Sequence, residues 1–201
     1  MIKSEDLIVS LTQAIGRLNQ ESSDFDLNPV IDLPKDRILR PAAVLIAIQM
    51  VADIPHIILT QRASTLKHHA GQVAFPGGKR DEDDSSLDET ALRESNEEIG
   101  LHPENVKIIG RMPTHETVTG FTVTPVVGIV RDTFVPIPDH NEVAEVFLVP
   151  LSHVTDKTQF SIQGRYWRNQ RRHYYTVPYG PYYIWGATAR ILWALAEGLQ
   201  E

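Results

Sequence analysis

Cysteine is absent from all 201 residues. Disulfides, thiolate nucleophiles and cysteine-based zinc sites are therefore excluded, and the absence suits a reducing cytoplasm. Long hydrophobic runs are missing as well. The longest, AAVLIAI from Ala42 to Ile48, is far too short to cross a bilayer. The N-terminal MIKSEDLIVSLTQAIGRLNQ spaces its apolar residues and does not read as a signal peptide. The closing GLQE is neither a prenylation box nor a peroxisomal address. A cytoplasmic protein without a membrane partner is the expectation. Positive charge is also in deficit, with 19 Lys and Arg against 26 Asp and Glu and a net charge of −7. That balance argues against a nucleic acid partner, whose backbone demands many cationic contacts. It leaves room for a small anionic ligand, because bound divalent cations or a local basic patch reverse the field at one site.

With 42% apolar and 22% charged residues, the composition is that of an ordinary globular chain. Its length suits one substantial domain rather than two. Leu7, Ile8, Leu11, Ala14, Ile15 and Leu18 recur at three-and-four spacing, which predicts an amphipathic helix over 4–20. Residues 21–39, with Pro29 and Pro34, read as an irregular connection. AAVLIAIQM and HIILTQR are strand-like runs around VADIP, a predicted hairpin, and QVAFP is a further short strand. VKIIGRM, FTVTPVVGIV and EVFLVPL follow as strands, and YWRNQRRHYYTVP as a paired segment turning near Asn169. YIWGATARILWALAEG predicts a closing helix over 183–198, with Gly186 as a blemish in it. Strands interspersed with a few helices predict a mixed sheet covered by helices. The expected organisation is one domain over 1–201: an N-terminal helix and connection (1–38), a core (39–182) and a C-terminal helix (183–201).

The segment GGKRDEDDSSLDETALRESNEEIG, from Gly77 to Gly100, packs nine carboxylates together. Ser86 with Glu89 forms a capping-box pattern, and Gly100 stands where a C-terminal cap belongs, so a helix is predicted from Ser86 to Ile99. Leu87, Ala91, Leu92, Ser95 and Ile99 share its apolar face. Glu94, Glu97 and Glu98 fall within an arc of about 100° beside that face, where carboxylates lose water and repel one another. Mg²⁺ or Mn²⁺, which prefers hard oxygen ligands, would remove the repulsion. The alternative is a solvated acidic face in which Arg93 pairs with Glu97.

RESNEEIGL resembles the R-E-x-x-E-E-x-G-U core of the Nudix box, where U is aliphatic, here Leu101. Gly78 lies fifteen residues before Arg93, one more than in the usual box. Aligned on Arg93, the box's earlier glutamate falls on Ser85, and Ser95 replaces an aliphatic residue. The upstream LTQRASTLKHHAGQVAFPGGKRDEDD looks like the signature of the coenzyme A diphosphatase branch of the family, which commonly has the longer spacing. IWGATARIL is similar to that branch too, so the resemblance runs from about Arg40 to Leu192.

The resemblance implies the Nudix fold: an α/β (α+β) class domain whose mixed β-sheet is sandwiched between helices, with a loop-helix-loop box. It implies hydrolysis of a diphosphate linking a nucleoside to another group, with CoA or an acyl-CoA as small-molecule substrate. The alternatives are another nucleoside diphosphate derivative (ADP-ribose, NADH or a dNTP) and, less favoured, a non-catalytic binding module. Glu94, Glu97 and Glu98, with a carbonyl at Gly78, are the implied ligands of Mg²⁺ or Mn²⁺. Arg93 is expected to orient glutamates by charge-assisted hydrogen bonds. Glu97 is one candidate general base, with Glu142 and Glu145 as others. Arg62 and Lys67 are the expected cations for a 3′-phosphorylated ADP moiety, with His69 ranked lower together with His68. Gly77 permits close backbone approach. Gln72 and Phe75 are read as positioning the loop. The basic run Arg168, Arg171, Arg172 and His173 is read as a solvated hairpin face in preference to a ligand contact. A homodimer is compatible with all of this. GGK does not form a P-loop, which would need glycine at Val73 and serine or threonine at Arg80.

Overall fold

The longest strand is apolar on both of its faces, and each face meets its own layer of helix. The computed structural model describes residues 4–28, 37–66, 69–167 and 170–200. Four helices are described: α1 (Ser4–Arg17), α2 (Leu87–Ile99), α3 (Leu151–Thr155) and α4 (Gly186–Gln200). The strands are β1 (Ser22–Ser23), β2 (Arg40–Val51), β3 (Ile54–Arg62), β4 (Val73–Ala74), β5 (Gly77–Lys79), β6 (Val106–Arg111), β7 (His115–Glu116), β8 (Phe121–Val130), β9 (Val143–Pro150), β10 (Ser161–Trp167) and β11 (Gln170–Thr176).

In β2, Ile46 and Ile48 join Ile57, Leu59, Val127 and Ile129 beneath Leu7 and Leu11 of α1 and Leu192 and Leu195 of α4. Ala43, Leu45 and Ala47 face the other way, with Ile58 and Val126, against Ala91 and Ile99 of α2. The two alanines leave room for α2 to lie close to the sheet. This is the expected mixed sheet between helical layers. β2 runs parallel to β8 along Arg40–Ile48 and antiparallel to β3 from Ile48 to Val51. Its first half, Ala42–Val44, pairs with β5. β9 lies against β3, while β10 and β11 form a separate antiparallel hairpin.

The predicted VADIP hairpin forms, with Ala52 and Asp53 both at positive φ (47° and 62°), the geometry of a tight two-residue turn. The acidic helix starts and stops as its caps dictate. Ser86 Oγ accepts from the Glu89 N–H, and Gly100, at φ 73°, donates to Asn96 O. Glu89 does not close the capping box on Ser86; it accepts from Ser85 N–H instead.

Several boundaries differ from expectation. The first helix ends at Arg17, and the connection after it contains β1, which pairs in parallel with His115–Glu116. Two residues are too few to leave a periodic signal. The last helix begins at Gly186, whose φ is +63°. Its glycine therefore serves the turn into the helix and is no interior blemish. The expected turn at Asn169 lies outside the described residues. Among the described residues, no helix is long and apolar enough to cross a membrane.

Candidate active site

The acidic face of α2 is graded by depth. Glu97 is 57% exposed, Glu94 17% and Glu98 only 4%. Helix geometry explains the order, since Glu98 turns toward the Ala91–Ile99 stripe and Glu97 away from it. Glu98 Oε2 accepts from the Gly77 N–H at 3.1 Å, and its other oxygen lies 3.6 Å from Arg62. Burial pushes the Glu98 carboxyl up to about 7, against the pull of Gly77 N–H and Arg62; the charges of Glu94 and Glu142 push further upward. Burial likewise raises Glu94, opposed by Arg93 and reinforced by Glu97 and Glu142.

Arg93 is the hub of the cluster. One nitrogen reaches Glu94 (3.1 Å) and Glu97 (2.9 Å), and the Nε and other terminal nitrogen form a two-pronged contact with Asp84 (2.9 Å each). The sequence reading did not single out Asp84. It is 5% exposed, accepts from Thr90 Oγ1 and the Asp81 N–H, and sits well below the ordinary carboxylate range because of its bonds to Arg93. Its signal lay in the direction of counting. Aligned on Arg93, the box glutamate falls on Ser85; counted forward from Gly78, the seventh position of the motif is Asp84.

Among the described residues, no three His, Asp or Glu side chains converge into a ready-made metal cage. Glu94 and Glu97 turn to Arg93, and Glu98 to Gly77 and Arg62. The donor set nevertheless has the chemistry of a hard-cation site: crowded carboxylates, two of which, Glu94 and Glu98, are raised first by burial and then by neighbouring carboxylate charge. The glycine pair belongs to the same arrangement. A Cβ at Gly78 would fall 2.5 Å from the Glu94 carboxyl, and one at Gly77 (φ +148°) 2.4 Å from Ala43 O. The two positions therefore predict opposite outcomes on substitution by alanine. Gly78→Ala meets a movable side-chain end and is expected to keep stability within about 1 kcal/mol while displacing Glu94 and weakening Mn²⁺ binding. Gly77→Ala meets backbone and a strained φ, and is expected to lose roughly 1–3 kcal/mol. Thermal melts with Mn²⁺ titrations separate the two.

Glu142 lies in the turn before β9. Its carbonyl accepts from Ala63 N–H, beside Arg62, and its charge reaches both Glu94 and Glu98. Glu145, the other candidate base, instead accepts from Tyr182 OH at 2.7 Å. His69 adopts φ 58° and lies with its Nδ1 2.9 Å from Gln72 Oε1. Lys67, His68 and Arg168 lie outside the described residues.

A cavity of about 420 Å³ adjoins the cluster. Arg62, His69, Gln72, Gly77, Gly78 and Lys79 are among its lining residues, so the glycine pair borders both the cavity and the glutamates. Phe75 is buried in the core at 3% exposure, although it too reaches the cavity wall. Arg62 is tied to the acidic cluster through Glu98. Arg165, Arg172, His173, Tyr174 and Trp185 line the same cavity. Arg172 and His173 thus face the cavity, whereas the sequence reading preferred a solvated face for them.

The chain matches the NUDIX domain over residues 39–170. It is 43% identical over 162 residues to an uncharacterized Nudix hydrolase NudL of Pectobacterium atrosepticum, covering 81% of this chain and 84% of that one. A NudL of Citrobacter koseri is 44% identical over 157 residues, covering 78% and 81%. Among solved structures, the Nudix hydrolase RenU of M. smegmatis is similar at 24% identity and a TM-score of 0.49, covering 58% of this chain and 74% of that one. The match over the core, together with relatives aligned over about four-fifths of the sequence, establishes that this chain belongs to the Nudix hydrolase family.

Proposed function

We propose that this protein hydrolyses the diphosphate of coenzyme A and its derivatives. Water attacks one phosphorus, the P–O bond of the anhydride breaks, and the products are 4′-phosphopantetheine and adenosine 3′,5′-bisphosphate. The observation that carries the reading is the cavity. The stretch that looks like the CoA diphosphatase signature supplies Arg62, His69, Gln72 and the glycine pair to its wall, next to the buried Glu98.

Glu94, Glu97 and Glu98, with the Gly78 carbonyl, would hold Mg²⁺ or Mn²⁺. The chemistry supplied there by a bound cation would be neutralisation of diphosphate oxygens and a lowered pKa for a bound water. The remaining work falls to the chain's own groups. Arg93, fixed by Asp84, holds Glu94 and Glu97 in place. Gly77 N–H and Arg62 hold Glu98. Glu97, the most exposed of the three, accepts the proton of the attacking water, with Glu142 as the second candidate. Arg62 and His69 face the diphosphate from the cavity side.

A panel of CoA, acyl-CoA, ADP-ribose, NADH and dNTPs with Mg²⁺ or Mn²⁺ tests the reading. The expected result is the highest kcat/KM for CoA or an acyl-CoA. Preference for ADP-ribose or NADH would keep the chemistry and overturn the substrate; no turnover of any compound by metal-bound protein would favour a binding module.

A further inference from the structure

The two arginines of the acidic cluster are satisfied very differently. Arg93 spreads its nitrogens over Asp84, Glu94 and Glu97. Among the described residues, Arg62 makes no side-chain hydrogen bond. Its Nε is buried without a partner, and one terminal nitrogen stands 3.6 Å from Glu98 Oε1. That separation suits an ion pair and is too long for a hydrogen bond. Glu98 Oε1 is underused in the same way, since the Gly77 N–H goes to Oε2. A buried donor left unmet opposes folding and calls for a reason.

The backbone of Arg62 is fixed while its head group is not. Its N–H donates to Gln72 O at 2.9 Å, and its carbonyl accepts from the Gly71 N–H at 3.1 Å. The β3–β9 register shifts between Gln61 and Arg62, and a bulge of this kind re-aims the side chain beside it. The same residue lines the cavity of about 420 Å³. From one anchored root, Arg62 therefore serves both the buried carboxylate and the cavity. Its N–H fork matches phosphate oxygens as well as carboxylates.

We propose that Arg62 is exchanged between two anions. With no cation at Glu98, Arg62 supplies the counter-charge that a carboxylate only 4% exposed requires. With a divalent cation at Glu98, Arg62 is displaced toward the cavity and donates to a phosphate oxygen of the ligand there. Cation and phosphate ligand then favour each other's binding, and the coupling is reciprocal. A guanidinium that must leave Glu98 is held by one long ion pair and not by a closed set of hydrogen bonds, unlike Arg93. The inference rests on the proposed cation site at Glu98 and is independent of coenzyme A as the substrate.

Titration of Mn²⁺ in the absence of any phosphate ligand, followed by electron paramagnetic resonance, reads the exchange without turnover. Arg62→Ala and Arg62→Gln are expected to bind Mn²⁺ about threefold or more tightly than the wild type, the scale of one partly exposed ion pair removed as a competitor. Arg62→Lys, which keeps the charge, should stay near the wild type. A residue that merely positioned Glu98 for the cation would give the opposite sign, weaker binding in both neutral variants. Calorimetric titration of 5′-AMP with and without Mn²⁺ supplies the other half. Mn²⁺ should raise the affinity of the wild type for 5′-AMP, and raise it about threefold less in the neutral variants, as reciprocity requires. Mn²⁺ affinity unchanged or weakened in both neutral variants, or an equal effect of Mn²⁺ on 5′-AMP binding in all the proteins, would overturn the exchange. The proposed function fails differently. Absence of Mn²⁺ binding by the wild type would remove the cation site and the exchange with it, whereas CoA left unhydrolysed by a protein that shows the coupling would overturn the substrate alone.

Discussion

Replacing Glu98 with glutamine is expected to lower turnover by at least about 10²-fold, the scale of several kcal/mol of lost metal-assisted stabilisation. The same substitution should make the metal-free protein more stable at pH 8. The two effects share one cause. Glu98 is buried at 4% exposure, and burial pushes its carboxyl up to about 7. The folded chain therefore holds a proton there more tightly than the unfolded chain, whose carboxyl titrates near the ordinary glutamate value of 4.5. Between those two values the native state binds more protons, so stability falls as pH rises through the window. Below about 4.5 the burdened carboxylate is absent in both states, and above about 7 its full penalty applies. Glutamine never ionises, and its amide oxygen can still accept from Gly77 N–H. In EDTA, melts of wild type and Glu98→Gln should coincide near pH 4.5 and separate progressively to pH 8, by about 1–3 kcal/mol in favour of the variant. Added Mn²⁺ should then stabilise the wild type more than the variant. Equal melts at pH 8 would show that Glu98 is not burdened by its charge.

The second large effect concerns Asp84. Its carboxylate receives two nitrogens of Arg93, the Thr90 hydroxyl and the Asp81 N–H. Removing it leaves the guanidinium with Glu94 and Glu97, the Lys79 carbonyl at 3.3 Å and the exposed Asp81 carboxylate at 3.7 Å. Asp84→Ala should cost about 2–4 kcal/mol, since breaking a buried charged pair strands its partner. The shift in Asp84 is opposite to that in Glu98. Its folded carboxyl is held well below the ordinary range, so its contribution is complete above the unfolded value and fades as pH falls toward the folded one. Asp84→Asn should therefore narrow its stability deficit in acid and show it fully at pH 7. Activity should fall as well, because Arg93 loses the anchor that fixes Glu94 and Glu97. Chemical denaturation across pH, paired with kcat, separates the two losses. An Asp84→Ala variant with native stability and full kcat would remove Asp84 from the account.

These two carboxylates also mark how far the sequence could be read. The helix carrying Glu94, Glu97 and Glu98 was legible because its caps, apolar stripe and acidic edge are all local patterns. Gly77 and Gly78 were legible as a tight turn into the helix, and a Cβ at either would meet Ala43 O or the Glu94 carboxyl. Asp84 was obscured because the loop carries an added residue, and counting from Arg93 passes over it. The Arg165–Arg172 pairing was hidden for another reason. The two residues are seven apart in sequence and meet only through the hairpin register. A run of basic residues cannot reveal which side chains turn inward. The parallel pairing of β1 with β7 joins segments about ninety residues apart through two residues each, beyond the reach of any periodicity. Local patterns thus announced the helix and its glutamates, while the cavity wall depended on long-range pairing.

Titration of Mn²⁺ into the wild-type and Glu98→Gln proteins, followed by the loss of free Mn²⁺ signal in electron paramagnetic resonance, bears most directly on the acidic helix as a metal centre. Saturable binding in the wild type, weakened at least about tenfold in the variant by loss of a charged ligand, is the predicted result. Identical binding curves for the two proteins would contradict it.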